Sequence, residues 1–456
     1  MHAINIKHKV LLLFLGVCTA LCSQAQVFLT LDSCLSLAQQ NNKQIQQALL
    51  DVSKAKEVKK QAMTHYFPQV TASAMGYHSL HPILEIGIDD IGNASVRDLL
   101  IALYGNYGAA LGLENTLSLF HYGYQVGVTA LQPIYMGGKI TTGNQLADIG
   151  IQAADLQAQI TQRDVLQEVE ESYWLVLGLR EKQSTLIATM ALLDTIHQTV
   201  EAAVEAGLVL PKDLLQVELK QSEMRRTQIQ LTNGLQLAQQ ALCLNIGLPY
   251  SDSLLIIPTT HSQMLPEEQT FSLASPSATT EHQLLSLHVR AAQLQHRMAL
   301  SEALPQVALG AHYGYGKLQA NWLSNNLGSE TGNGTVFVSM SLPLSGWWET
   351  SHKLREQKMA IQQAQLQQEQ MGEMLNIRTK QAYNQMQEAL LLIQEYQTAL
   401  DISANHYHLT QASYQAGQAT IAELLEAHTL LLKAHNDLTD AHITYRVNAR
   451  RYAAYQ

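Results

Sequence analysis

The chain repeats itself at a constant offset of 210 residues. Pro133 in Leu131-Gln132-Pro133-Ile134 returns as Pro343 in Ser341-Leu342-Pro343-Leu344, Gly207 returns as Gly417, and Leu214-Leu215 returns as Leu424-Leu425. An offset held over more than 80 residues means that one long element and its closing turn recur without a gap. Upstream, Phe67-Pro68-Gln69-Val70 matches Leu304-Pro305-Gln306-Val307 at an offset of 237, so the first copy carries 27 more residues between its two prolines. Repeats of this size that cannot bury their own faces are built to pack on one another. The chain thus reads as a first repeat over 26–246, a linker over 247–280 and a second repeat over 281–456.

Helices follow from where proline is missing. Residues 134–210 and 344–456 contain none, and both are rich in Ala, Gln, Leu and Glu, which helices favour or tolerate. In the second stretch Ala382, Met386, Ala389, Ile393, Tyr396 and Leu400 are spaced 4, 3, 4, 3 and 4, the seam of a coiled coil. Residues 139–205 and 346–414 predict two rods of about 100 Å each at 1.5 Å per residue. The segments 31–65 and 213–246 together match the 67 residues of 139–205. Two short helices stacked end to end beside one long helix would give a tapering tube. The linker holds four of the ten prolines and is predicted to be irregular, lying across the waist of that tube.

Each repeat also carries a β-hairpin, over 66–135 and 304–345. In the second, Val307, Leu309, Ala311, Tyr313 and Tyr315 alternate with Ala308, Gly310, His312, Gly314 and Gly316. Its partner alternates Val336, Val338, Met340, Leu342 and Leu344 with Thr335, Ser339 and Ser341, and Phe337 is the exception. In the first, Tyr122, Tyr124, Val126, Val128 and Ala130 alternate with Gly123, Gln125, Gly127 and Thr129. Strands of about ten residues with one apolar face and one small or polar face suit an outer-membrane barrel, lipid outside and water within. Tyr135 in the first repeat and Trp347 and Trp348 in the second follow the strands and suit an aromatic girdle at the membrane interface. Four strands cannot close a barrel, since small closed barrels need about eight. An open sheet edge in lipid leaves backbone groups without partners at several kcal/mol each, so several chains must share one barrel. Three chains would supply twelve strands. The extra residues of the first hairpin, about 79–120, are predicted to form a partly structured extracellular loop.

Composition narrows the class further. Only 14% of residues are charged against roughly 25% in soluble domains, and 46% are hydrophobic, which excludes intrinsic disorder. A formal net charge of −10 gives no basic face for nucleic acid. Lys7 and Lys9 precede the apolar run Val10 to Leu21, and Ser23-Gln24-Ala25 supplies small residues for cleavage, so 1–25 reads as a signal peptide. That run is too short to span a bilayer, which takes about 20 residues. Cys34 and Cys243 lie in apolar helical runs and are expected to be buried small hydrophobes.

On these residues the chain resembles the TolC-type outer-membrane efflux channel family. The resemblance rests on Leu29-Thr30-Leu31-Asp32 with Asn41-Asn42, the two Pro-Gln-Val strand starts, and the two turns Ala206-Gly207-Leu208-Val209-Leu210-Pro211-Lys212-Asp213 and Ala416-Gly417-Gln418-Ala419-Thr420-Ile421-Ala422-Glu423. It implies a mainly α fold with internal duplication. In it a homotrimer carries a twelve-stranded transmembrane barrel above a coiled-coil helical barrel, in the outer membrane of a Gram-negative bacterium and reaching into the periplasm. It also implies a periplasmic adaptor and an inner-membrane transporter as partners. The turns near 207–213 and 417–423 would form the periplasmic mouth. By position Tyr414 and Asp213 suit a polar link that closes it, while Gly207, Leu208, Leu214, Gly417 and Leu424 suit an adaptor-facing tip. Glu423 and Glu426 suit either acidic rings at the mouth or a cap on the helix start. Ala419 departs from relatives that carry an arginine there. His428, His435 and His442 recur every seven residues and are read as a polar stripe. No phosphate loop, cysteine cluster or nucleophile motif is present, so neither catalytic residues nor a cofactor or metal site are expected. The competing reading is a secreted coiled-coil structural or adhesion protein without channel activity.

Overall fold

The computed structural model describes residues 27–81, 84–111, 116–250, 254–256, 279–322 and 325–455. The expected signal peptide and most of the 247–280 linker lie outside them. In chain order the elements are β1 (Val27–Leu29), α1 (Leu31–Asn41), α2 (Lys43–Thr64), β2 (Gln69–His78), β3 (Leu84–Gly87), a short 3-10 turn (Ile88–Asp90), α3 (Ala94–Leu111), β4 (Thr116–Met136), α4 (Lys139–Glu205), α5 (Pro211–Ile246), β5 (Leu254–Ile256), α6 (Thr280–Ser301), β6 (Gln306–Trp322), β7 (Asn325–Ser341), α7 (Trp347–Gln415) and α8 (Ile421–Ala453).

The two rods are α4 and α7, of 67 and 69 residues. The helix expected over 31–65 is instead two helices, and Asn42 is the reason. Its backbone is extended (φ −65°, ψ 128°). Its Oδ1 accepts from the Gln44 and Ile45 amides at 2.8 and 3.2 Å, which caps α2, and its Nδ2 donates to the Asn245 carbonyl at 2.7 Å. An asparagine that serves its own backbone so well ends one helix and starts the next. Within the linker, β5 pairs in parallel with β1, Val27 opposite Leu254 and Leu29 opposite Ile256.

The chain folds as two compact units that cut across the sequence repeats. Of the described residues, one holds those up to Ser53, those within Gln152–Leu287 and those from Leu366 onward; the other holds those within Lys54–Ile151 and His288–Gln365. The first is mainly helical, and its described residues form three apolar clusters. Cys34, Ala38, Val169, Tyr173, Leu242 and Ile246 build one, where α1 meets α4 and α5. Burial, helped by the nearby Cys243, pushes the Cys34 thiol up to about 12, so it serves as a small hydrophobe. Leu193, Val200, Val217, Met224, Tyr407, Ile421 and Leu424 build the second. The third contains Ala382, Met386, Ala389 and Ile393 of the expected seam, packed on Ala441, Tyr445 and Tyr452 of α8.

The second unit is built on an antiparallel sheet in the order β2-β4-β6-β7, with β3 also paired to β4. The register puts Gln69 opposite Leu131, Val128 opposite Tyr313, and Gly310 opposite Phe337. The strands run longer than the sequence pattern indicated, 21 residues in β4 and 17 in β6 and β7. The loop expected over 79–120 contains β3, the 3-10 turn and the 18-residue α3.

Candidate functional site: the paired turns and the two-faced sheet

The two turns share one backbone design. The Gly207 amide donates to Val204 O and the Leu208 amide to Ala203 O, both at 2.9 Å; the Gly417 amide donates to Tyr414 O at 3.0 Å and the Gln418 amide to Ser413 O at 2.8 Å. This is the Schellman arrangement, and both glycines take the left-handed φ it demands, +70° and +72°. Each turn then enters its next helix through an extended N-cap, Leu210 or Thr420. The glycines hold the turns in shape whatever they face.

Side chains on the two turns differ. Leu208 is 80% exposed, with Leu210, Leu215 and Leu219 also exposed beside it on the first turn and its following helix. The matching positions 418 and 420 carry Gln and Thr, and position 425, matching Leu215, is buried. Leu424 corrects the expectation of an adaptor-facing residue: it is 2% exposed and sits in the core of its own chain, with Leu214 half-buried against the same cluster. Both members of the Leu424-Leu425 pair are buried in that cluster, whereas Leu215 of the first turn is exposed. Leu424 shares its face with Ala427 and His428, which are buried as well.

Of the proposed mouth residues, Asp213 and Tyr414 approach within one chain. Burial raises the Tyr414 hydroxyl above its ordinary value, and the Asp213 carboxylate adds to the effect. Glu423 closes a capping box. Its Oε2 accepts from the Thr420 amide at 2.7 Å and the Thr420 hydroxyl at 3.0 Å, while the Glu423 amide donates to Thr420 Oγ1 at 3.3 Å. The Thr420 amide, then its hydroxyl, hold this carboxyl below the usual glutamate range. The cap reading of Glu423 therefore describes contacts that exist. Glu426 is exposed one turn further along. His428 is buried edge-on to Tyr407, centroids 5.4 Å apart, and desolvation followed by Lys220 lowers its pKa.

The sheet has two unlike faces. One carries Gln69, Thr71, Ser73, Gln125, Gly127, Thr129, Gly310, His312, Thr335 and Ser339; the other carries Val70, Val126, Val128, Leu309, Tyr313, Val336, Val338 and Met340, exposed in the single chain. A monomeric soluble protein rarely leaves so continuous an apolar surface bare. Tyr135 and Trp347 are about half exposed and Trp348 is 81% exposed; the Trp347 indole donates to Ala303 O at 3.3 Å.

Sequence reasoning missed a second apolar stripe on α7. Leu366, Ile377, Leu391, Ile402 and Leu409, all exposed, are spaced 11, 14, 11 and 7, which returns to one helix face every step. On α5, Leu215, Leu219, Ile229, Leu237 and Leu244 do the same. The period was readable, but the buried seam on the same helix masked it.

The sequence model of the family described as outer membrane efflux protein matches residues 34–248 and 283–451. The outer membrane protein TolC of Vibrio cholerae is 21% identical over 295 residues, 64% of this chain and 67% of that protein. Among solved structures, CusC, described as forming a transmembrane channel, superposes with a TM-score of 0.75 at 16% identity, covering 94% of this chain and 92% of its own. The outer membrane protein VceC of Vibrio cholerae superposes at 0.70 with 15% identity, over 93% and 95%. With duplicated helix-turn-helix elements, a two-faced antiparallel sheet and a family match over most of its length, this chain belongs to the outer membrane efflux protein family and is an outer-membrane efflux channel.

Proposed function

We propose that three copies of this chain close into one passive duct, fed by a periplasmic adaptor and an inner-membrane transporter. The observation that carries the reading is the incompleteness of the single chain. Its sheet ends in β2 on one side and β7 on the other, and the apolar face between them is exposed. In lipid those edges need partners, and β7 of one copy against β2 of the next supplies them. In the helical unit, the bare stripes on α5 and α7 suit the same exchange, each covering the stripe of a neighbouring copy. Outer-membrane lipid covers the apolar sheet face, and Tyr135, Trp347 and Trp348 anchor its rim.

The turns form the mouth. Leu208, Leu210 and Leu215 offer the adaptor an apolar anchor, positioned by the backbone of Gly207, and the second turn around Gly417 adds a polar surface. Asp213 with Tyr414 supports the closed state, and Glu426, with Glu423 set back in its cap, supplies the acidic lining. The test of docking is Leu208→Ser together with Leu210→Ser in the full-length protein. Adaptor co-purification should fall at least about tenfold if these leucines anchor it, since two buried leucines are worth several kcal/mol. Unchanged adaptor recovery from a properly assembled trimer would refute the assignment.

A further inference from the structure

Four glycines on the small-residue face of the sheet, Gly123, Gly127, Gly310 and Gly314, are buried in a sheet most of whose residues are exposed. Neighbouring side chains cover them. A Cβ built on Gly310 would overlap the ring of Phe337, its direct cross-strand partner. One on Gly127 or on Gly314 would come within 2.8 Å of the His312 imidazole, and one on Gly123 within 2.9 Å of the Tyr77 ring. The His312 Nδ1 shares a 2.9 Å hydrogen bond with Thr129 Oγ1, which holds that imidazole down against the sheet. Phe337 is 38% exposed, where Val336 and Val338 on the other face are 75% and 70% exposed.

We propose that these glycines set the bore of the channel: each is a seat on which a bulky inward-facing side chain lies flat rather than standing into the passage. The proposal rests on the shared-barrel reading above, in which this face lines the lumen. Glycine ordinarily weakens a strand because it offers nothing to pack. An aromatic ring laid across the bare backbone restores that packing. The same arrangement frees the passage of the ring's bulk, because a ring that cannot lie down must take the other staggered rotamers and project from the sheet. It also explains why the inner face tolerates Phe337, the break in the alternation that runs from Thr335 to Ser341. Gly310 is the most telling position, because the three atoms nearest its missing Cβ all belong to the Phe337 ring, a side chain that can swing. At Gly123 the Lys317 carbonyl stands 2.8 Å away, so substitution there strains backbone instead.

The test is Gly310→Ala in the full-length detergent-extracted protein, labelled with fluorophenylalanine. The chain has six phenylalanines, so the Phe337 fluorine resonance is assignable by its loss in Phe337→Leu. In G310A that resonance should broaden strongly with a soluble paramagnetic chelate, approaching free fluorophenylalanine. Conductance in a planar bilayer should fall, and the double variant G310A/F337A should restore it. An intact trimer in which G310A leaves the Phe337 resonance as protected as before overturns the proposal. A particle that is not an oligomer overturns the barrel reading instead. If G310A fails to assemble, the unsubstituted protein decides: a Phe337 signal as accessible as the free amino acid contradicts a seated ring, and a protected one supports it.

Discussion

Thr420 and His428 show how single residues at the second turn do separable work. Thr420 caps α8 reciprocally with Glu423, so Thr420→Ala should lower stability by about 1 kcal/mol, read as an earlier thermal transition. Because the folded Glu423 carboxyl sits below its ordinary value, its contribution is complete above that ordinary value and fades as pH falls through the lowered one. His428 works in another pH window. Its pKa is lowered by burial and by Lys220, so the unfolded chain takes up a proton before the folded chain does. Stability should therefore be flat above about pH 6.5 and decline below it, and His428→Gln should flatten that decline. Thermal melts between pH 8 and pH 5 check this; equal slopes in both proteins would contradict it.

At the scale of elements, the proposed assembly rests on the exposed stripes of α7 and α5. Ile402→Glu with Leu409→Glu places two carboxylates on the exposed stripe of α7, and neither position belongs to the chain's own apolar clusters. The single chain should keep its helix content while the oligomer weakens, visible as lower-order species on native electrophoresis. Much of this level was legible in the sequence. The offset of 210, the proline-free stretches and the 4-3 spacing gave both rods and the buried seam, because helical periods are local. What was not legible depended on partners distant in sequence. The break at Asn42 needs Asn245 to hold its side chain, and the β1–β5 pair joins segments more than 220 residues apart. The burial of Leu424 needed the packed core, since the Leu-Leu pairs of the two turns read alike in sequence although Leu215 is exposed and Leu424 and Leu425 are both buried. Phe337 looked like an error of alternation until Gly310 was seen beneath it.

For the whole molecule, the two faces of the sheet and its two open edges state one requirement: a single copy is unfinished. In the proposed duct, lipid covers the apolar face, strands of the next copy pair with the edges, and neighbouring copies cover the helix stripes. Energy and substrate choice there belong to the adaptor and transporter. The most direct test is the native mass of the membrane-extracted protein in detergent, corrected for bound detergent. The shared duct predicts a particle of three 50.5 kDa chains, less any cleaved signal peptide. A monomer that stays dispersed without detergent would contradict the shared barrel, and with it the channel built upon it.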